Sequence, residues 1–160
     1  MNDELLTELA GLLIQRGEML STAESCTGGG IAHVVTELAG SSAWFDAGFV
    51  TYSNSAKQRM LHVSVPTLER FGAVSDAVVR EMALGAVQQS QADWSISVSG
   101  IAGPDGGTEE KPVGTVWAAW AHRDKVLLSH CYQFEGTRAQ VRQQTIDFSL
   151  TELLRLVQSN

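Results

Sequence analysis

Residues 18–38 read EMLSTAESCTGGGIAHVVTEL, and the way this stretch changes character along its length decides the fold. Residues 18–23 have the makings of a short strand. Residues 31–38 are apolar at helical spacing, and Glu24, Ser25, Cys26, Thr27 and three glycines lie between. The segment is therefore expected to run strand, tight turn, helix, with Ser25 at the turn. Upstream, Leu5, Leu6, Leu9, Leu12 and Leu13 recur at helical spacing and Gly17 follows as a stop signal, predicting an amphipathic helix over 3–16 that packs on a sheet.

Downstream the pattern keeps alternating. Aromatic and β-branched residues predict a strand over 43–52, with its first residues either strand or loop, and Ser53 or Asn54 caps a short helix through Lys57 to Leu61. Residues 66–71 read as a short helical turn, and Ser75 caps a longer helix to about Ser90 with Val78, Val79, Met82, Ala83 and Ala86 as its buried stripe. A strand over 93–99 leads into a Gly- and Pro-rich loop. Strands over 113–122 and 126–134 form a hairpin turning at Arg123 and Asp124, and a helix spans about 137–157. The order, without repeat or linker, predicts a three-layer α/β/α sandwich with a mixed sheet, one domain over 1–160.

Composition narrows the function. A chain of 160 residues buries roughly 70% of its unfolded surface, so neither disulfides nor metals are required to hold it. Cys26 and Cys131 are expected as free thiols. A net charge of −7 with eleven scattered Lys and Arg argues against nucleic acid as a partner. No window approaches the roughly 20 apolar residues of a membrane span, and no targeting segment precedes the first helix, so a cytoplasmic location is expected. His33, His62, His122 and His130 lie far apart without ligand-spaced partners, so no metal site is expected.

Several residues carry possible chemistry, each with a plainer alternative. Ser25 is either an N-cap or a nucleophile beside helix amides that can hold an oxyanion, with the glycines at 28–30 allowing close approach. A serine nucleophile needs a base. Lys57, five residues beyond Tyr52 and in the first turn of a helix, is the best candidate if burial makes it a neutral amine; otherwise it is a surface lysine. Tyr52 then relays a proton or orients that amine, or is an ordinary strand aromatic. Cys26 is the rival nucleophile, ranked lower because its position points it into the core. The loop 99–107 fits neither common nucleotide fingerprint and is either a ligand cradle or a structural turn. Arg138 and Arg142, four apart on one helix face, either bind a phosphate or pair at the surface.

Taken together, AESCTGG at 23–29, FVTYSNSAK at 49–57, GAVS at 72–75, SGIAGPDGG at 99–107 and KPVGTV at 111–116 resemble the C-terminal domain family of the competence-damage-inducible protein CinA, over about residues 5–155. The resemblance implies hydrolytic deamidation of nicotinamide mononucleotide to nicotinate mononucleotide and ammonia, in pyridine nucleotide recycling. It places a Ser25 and Lys57 mechanism with Tyr52 assisting. It also sets Thr27, Gly28, Gly29 and Gly100 at the substrate, and Arg138 or Arg142 on the 5′-phosphate. It implies no cofactor, a small-molecule nucleotide as partner, and a homodimer. Larger members carry a preceding pyrophosphatase domain, which has no counterpart in these motifs. Two rival readings stay open: a noncatalytic nucleotide-binding module of the same fold, and an amidohydrolase for another small amide.

Overall fold

The computed structural model describes residues 2–160. The first helix, α1 (Asp3–Arg16), starts where the Asn2 side chain accepts the Glu4 amide and stops at Gly17, whose φ of 64° is the left-handed conformation that lets the chain leave the helix. It buries Leu6, Leu9 and Leu13. The chain then runs through β1 (Leu20–Glu24), α2 (Gly30–Glu37), a 3₁₀ turn at Ser41–Ala43 and β2 (Phe45–Val50). Three helices follow, α3 (Asn54–Leu61), α4 (Val65–Phe71) and α5 (Asp76–Gln88), then β3 (Trp94–Gly100), β4 (Thr115–His122), β5 (Lys125–Gln133) and α6 (Arg138–Ser159).

The predicted elements form in the predicted order, with local differences. The short turn at 66–71 is a seven-residue helix capped by the Ser64 hydroxyl, with Pro66 in its first turn, where a missing N–H costs nothing. Residues 43 and 44 stay out of β2: Ala43 ends the 3₁₀ turn and Trp44 is buried at 1% exposure. Strand β4 begins at Thr115 because Gly114 (φ 96°) packs against the backbone of Phe134, where a Cβ would meet the carbonyl oxygen at 1.9 Å. Among the described residues no helix is long and apolar enough to cross a membrane, and both cysteines are free thiols.

The five strands lie in the order β2-β1-β3-β4-β5, with β1 parallel to both neighbours and β4 and β5 antiparallel. Helices cover both faces, which makes the mixed α/β/α sandwich expected from the sequence. Alternation along the strands gives the two faces different character. Leu20, Trp94, Ile96, Val98, Val116 and Trp120 form the bulky face against α1, α2 and α6, while Ala23, Ala119 and Ala121 lie on a face of small residues against α5. On that face Ser95 Oγ donates to Ala83 O (2.7 Å) and Ser97 Oγ to Val79 O (2.6 Å), so α5 sits directly on the sheet.

From β1 the chain crosses one face through α2 to β2, then returns over the other face through α3, α4 and α5 to β3 on the far side of β1. The connections part at the carboxyl end of β1, which is where open α/β sheets leave a crevice. The contact between α5 and α3 is as close as that between α5 and the sheet: a Cβ on Gly85 would stand 2.1 Å from Leu61 O. Gly85→Ala is therefore expected to cost about 1–3 kcal/mol as an overpacked contact against backbone. Urea unfolding checks this, with a lowered midpoint at unchanged slope; an unchanged midpoint would refute the close packing.

Candidate active site

Ser25 follows the last residue of β1, and its amide donates to Val98 O (3.1 Å), continuing the parallel ladder by one step. The turn behind it is tight: Gly28 N donates to Ser25 O and Gly30 N to Thr27 O, each at 3.1 Å. Gly28 and Gly29 take φ values of 60° and 101°, which only glycine adopts without strain. Helix α2 has Gly29 as its N-cap and no side-chain cap of its own. Glu24 supplies it. At 1% exposure, its Oε1 accepts the Thr27 hydroxyl and the Ile31 amide (2.9 Å), and its Oε2 the Ala32 amide (3.1 Å). The positive end of α2 is thus already matched by a buried carboxylate.

Lys57 approaches from α3, the helix that follows the next strand. Thr51 N donates to Glu24 O (2.9 Å), holding the end of β2 beside β1, and the Ser53 hydroxyl caps α3 by accepting the Ala56 amide. This brings Lys57, 1% exposed, inward: its Nζ lies 3.0 Å from Ser25 Oγ, 3.0 Å from Thr51 O and 3.2 Å from Tyr52 O. Among the described residues no carboxylate pairs with it. Burial pushes its pKa below that of an ordinary lysine and outweighs an opposing pull from Cys26. A neutral amine has two hydrogens and one lone pair. In that form the two carbonyls accept the hydrogens and the lone pair faces the Ser25 hydroxyl, which also lies 3.4 Å from Tyr52 O.

The pair opens into a cleft of about 290 Å³, which Tyr52, Gly100 and Arg138 also line. Tyr52 contributes differently from the sequence expectation. Its carbonyl holds the amine, while its ring is 62% exposed at the rim, where the phenol accepts a hydrogen bond from Arg138 Nη2 (3.3 Å). Arg138 Nη1 also donates to Gly103 O (2.8 Å), so this guanidinium spans the cleft mouth. Arg142 does not reach the cleft: Nε donates to Cys26 O (3.2 Å) and Nη2 to Thr27 O (3.1 Å), bracing the turn from behind.

Thr27, Gly28 and Gly29 likewise do not line the cleft. They lie on the α2 side of the turn, where the Thr27 hydroxyl is engaged by Glu24 and the Gly28 amide by Ser25 O. Cys26 does line it, but is 6% exposed with its thiol pushed up to about 12 by burial and, further, by Glu24, so a thiolate is disfavoured there. Glu24 has no role in the sequence reading. Its signal is present, however: an acidic residue ending an otherwise uncharged buried strand, before a helix that lacks a capping side chain. Ser99, Asn54 and Asp105 also line the cleft.

The model of the CinA C-terminal domain family matches residues 2–157. The nicotinamide-nucleotide amidohydrolase PncC of Enterobacter agglomerans is 56% identical, covering 95% of this chain and 93% of its own. The protein of the same name from Escherichia coli strain K12 is 51% identical, covering 94% and 91%. The crystal structure of competence/damage inducible protein CihA from Agrobacterium tumefaciens superposes with a TM-score of 0.92 at 46% identity, over 96% of this chain and 93% of that one.

The two arginines are expected to separate on substitution. Arg142→Ala leaves the Cys26 and Thr27 carbonyls without their charged donors and should cost about 1–3 kcal/mol. Arg138→Ala, at the rim, should stay within about 0.5 kcal/mol of the parent. Denaturant midpoints of the two variants check this; equal losses would contradict the division of roles.

Proposed function

The chain belongs to the CinA C-terminal domain family, and from that premise we propose that it hydrolyses the carboxamide of nicotinamide mononucleotide to nicotinate mononucleotide and ammonia, as one step in recycling pyridine nucleotides in the cytoplasm. The observation that carries the reading is the 3.0 Å approach of a buried, ion-unpaired lysine amine to the hydroxyl of Ser25 at the floor of an open cleft. A hydroxyl paired with such a base is an activated nucleophile, and acyl transfer is the chemistry it serves. Relatives of nearly the same length bearing the amidohydrolase name supply the substrate.

In this reading Lys57, neutral, takes the Ser25 proton as Oγ bonds to the carboxamide carbon and the carbonyl electron pair moves onto oxygen. The amide of Cys26, next to the nucleophile in a residue that lines the same cleft, donates to no carbonyl of another residue among the described residues, which fits it to hold the oxyanion. The carbon–nitrogen bond then breaks, ammonia departs, and water hydrolyses the Ser25 ester with Lys57 again accepting a proton. Arg138 has the position to bind the 5′-phosphate. The exchange of Gly103 and Tyr52 contacts for phosphate oxygens would exploit the planar guanidinium. No step calls for a metal or an organic cofactor.

Two outcomes are expected. Ser25→Ala should abolish ammonia release from nicotinamide mononucleotide while its far-ultraviolet spectrum and melting temperature match the parent, and retained turnover would sink the assignment. For the parent, kcat/KM should fall on acidification as Lys57 takes up a proton, since only the neutral amine accepts one from Ser25. The midpoint of that fall should lie below the ordinary lysine value, in the direction set by burial. A profile with no acid limb would remove Lys57 as the base.

A further inference from the structure

Beyond Ser25 and Lys57, the floor of the cleft holds a second serine. Strand β3 runs parallel to β1 in the register Glu24↔Val98, so Ser25 and Ser99 stand side by side one step further on, both on the face turned toward α5. Ser95 and Ser97 share that face, and each hydroxyl is spent on a carbonyl of α5, Ala83 and Val79 respectively. Two residues along the strand correspond to four along the helix. The next rung would join Ser99 to Ser75.

That rung is missing because α5 ends there. Ser75 is its N-cap: its carbonyl accepts the Val79 amide, and its hydroxyl donates to Gly72 O (2.8 Å) and accepts the Val78 amide. The chain before it passes into Ala73 and Val74, which form part of the cleft wall. Ser99 is 1% exposed, lines the cleft, and makes no side-chain hydrogen bond to protein among the described residues. Unlike the enclosed hydroxyls of Ser21, Thr22 and Thr51, the unpartnered Ser99 hydroxyl keeps an opening, and that opening is the cleft. The cleft's occupant is the group within reach.

We propose that Ser99 is a further catalytic residue, one that binds the scissile carboxamide through its nitrogen and delivers the proton with which ammonia leaves. The proposal rests on the deamidase reading above. After Ser25 has attacked, Lys57 carries three hydrogens. Two face the Thr51 and Tyr52 carbonyls, and the third faces Ser25 Oγ, now bonded to the substrate carbon. The departing nitrogen needs a proton, and an amide anion does not leave without one. Ser99 passes its own proton to that nitrogen as the carbon–nitrogen bond breaks, and regains one from the Lys57 ammonium through a water in the cleft, because Lys57 Nζ makes its direct contacts to Ser25, Thr51 and Tyr52. Ammonia departs with the bonding pair, the Ser25 ester remains, Ser99 is again a hydroxyl, and Lys57 is again neutral.

The test compares Ser99→Ala with Ser97→Ala in steady-state ammonia release from nicotinamide mononucleotide and in thermal melting. Losing a proton donor of this kind is expected to lower kcat about 10²-fold or more, with KM changed under about threefold and Tm unchanged, because Ser99 holds nothing in the free protein. Ser97→Ala should do the reverse, lowering Tm through the lost Val79 contact while kcat stays within about threefold. Ser99→Ala with kcat within threefold of the parent overturns the proposal. So does a Ser99→Ala loss that is matched by a fall in Tm and disappears when assayed well below the new melting point. If the parent itself releases no ammonia, the deamidase reading fails, and the proposal falls with it by a distinguishable route.

Discussion

A lysine amine closed off from water with no counter-charge is the constraint around which the rest of the site is arranged. Burying an ammonium without a partner costs several kcal/mol, whereas the neutral amine asks only for two acceptors and one donor. Lys57 has those: the carbonyls of Thr51 and Tyr52, and the Ser25 hydroxyl. For this to happen β2 must end at the level where β1 ends, its last carbonyls turned inward, and the chain must enter α3 at once. The Thr51 amide on Glu24 O and the Ser53 cap on α3 enforce both conditions.

The same economy explains how charge is distributed around the serine. Glu24 matches the N-terminus of α2, and Arg142 holds the carbonyls of Cys26 and Thr27, so the turn carrying Ser25 is rigid before any ligand arrives. Neither charge reaches the cleft. Arg138, one helical turn earlier on α6, faces the cleft mouth instead, which is why the proposed function gives it the substrate's phosphate. Thus one face of one helix supplies both a brace for the turn and the proposed ligand contact. The small-residue face of the sheet adds a third element. By letting α5 rest on β3 it fixes where the helix ends, and therefore how much of β3 opens into the cleft.

Much of this is legible in the sequence, for identifiable reasons. Helices α1 and α5 announce themselves by apolar period and by the signals at Gly17 and Ser75, because those signals are local. Ser25 and Lys57 stand out because a strand-to-helix turn and a helix start are local too, although their meeting across two strands depends on pairing that no single segment encodes. What local pattern cannot show is which side of a turn faces the cleft. Thr27, Gly28 and Gly29 look suited to cradle a substrate, yet the turn presents them to α2 and Arg142. Tyr52 looks like a side-chain participant, yet its carbonyl meets the amine. Arg138 and Arg142 are equivalent by spacing and are told apart only by where the β1 turn lies against α6.

The protonation state of Lys57 is the point on which the chemistry turns, and it can be observed directly by nitrogen NMR of protein labelled at lysine Nζ, titrated with pH and assigned through a Lys57→Met variant. The Lys57 resonance is expected to titrate well below the roughly 10.4 of an ordinary lysine, and its midpoint should move on Ser25→Ala, since the hydroxyl is one of its three neighbours. A Lys57 signal that titrates like the surface lysines and ignores the loss of Ser25 would contradict the dyad.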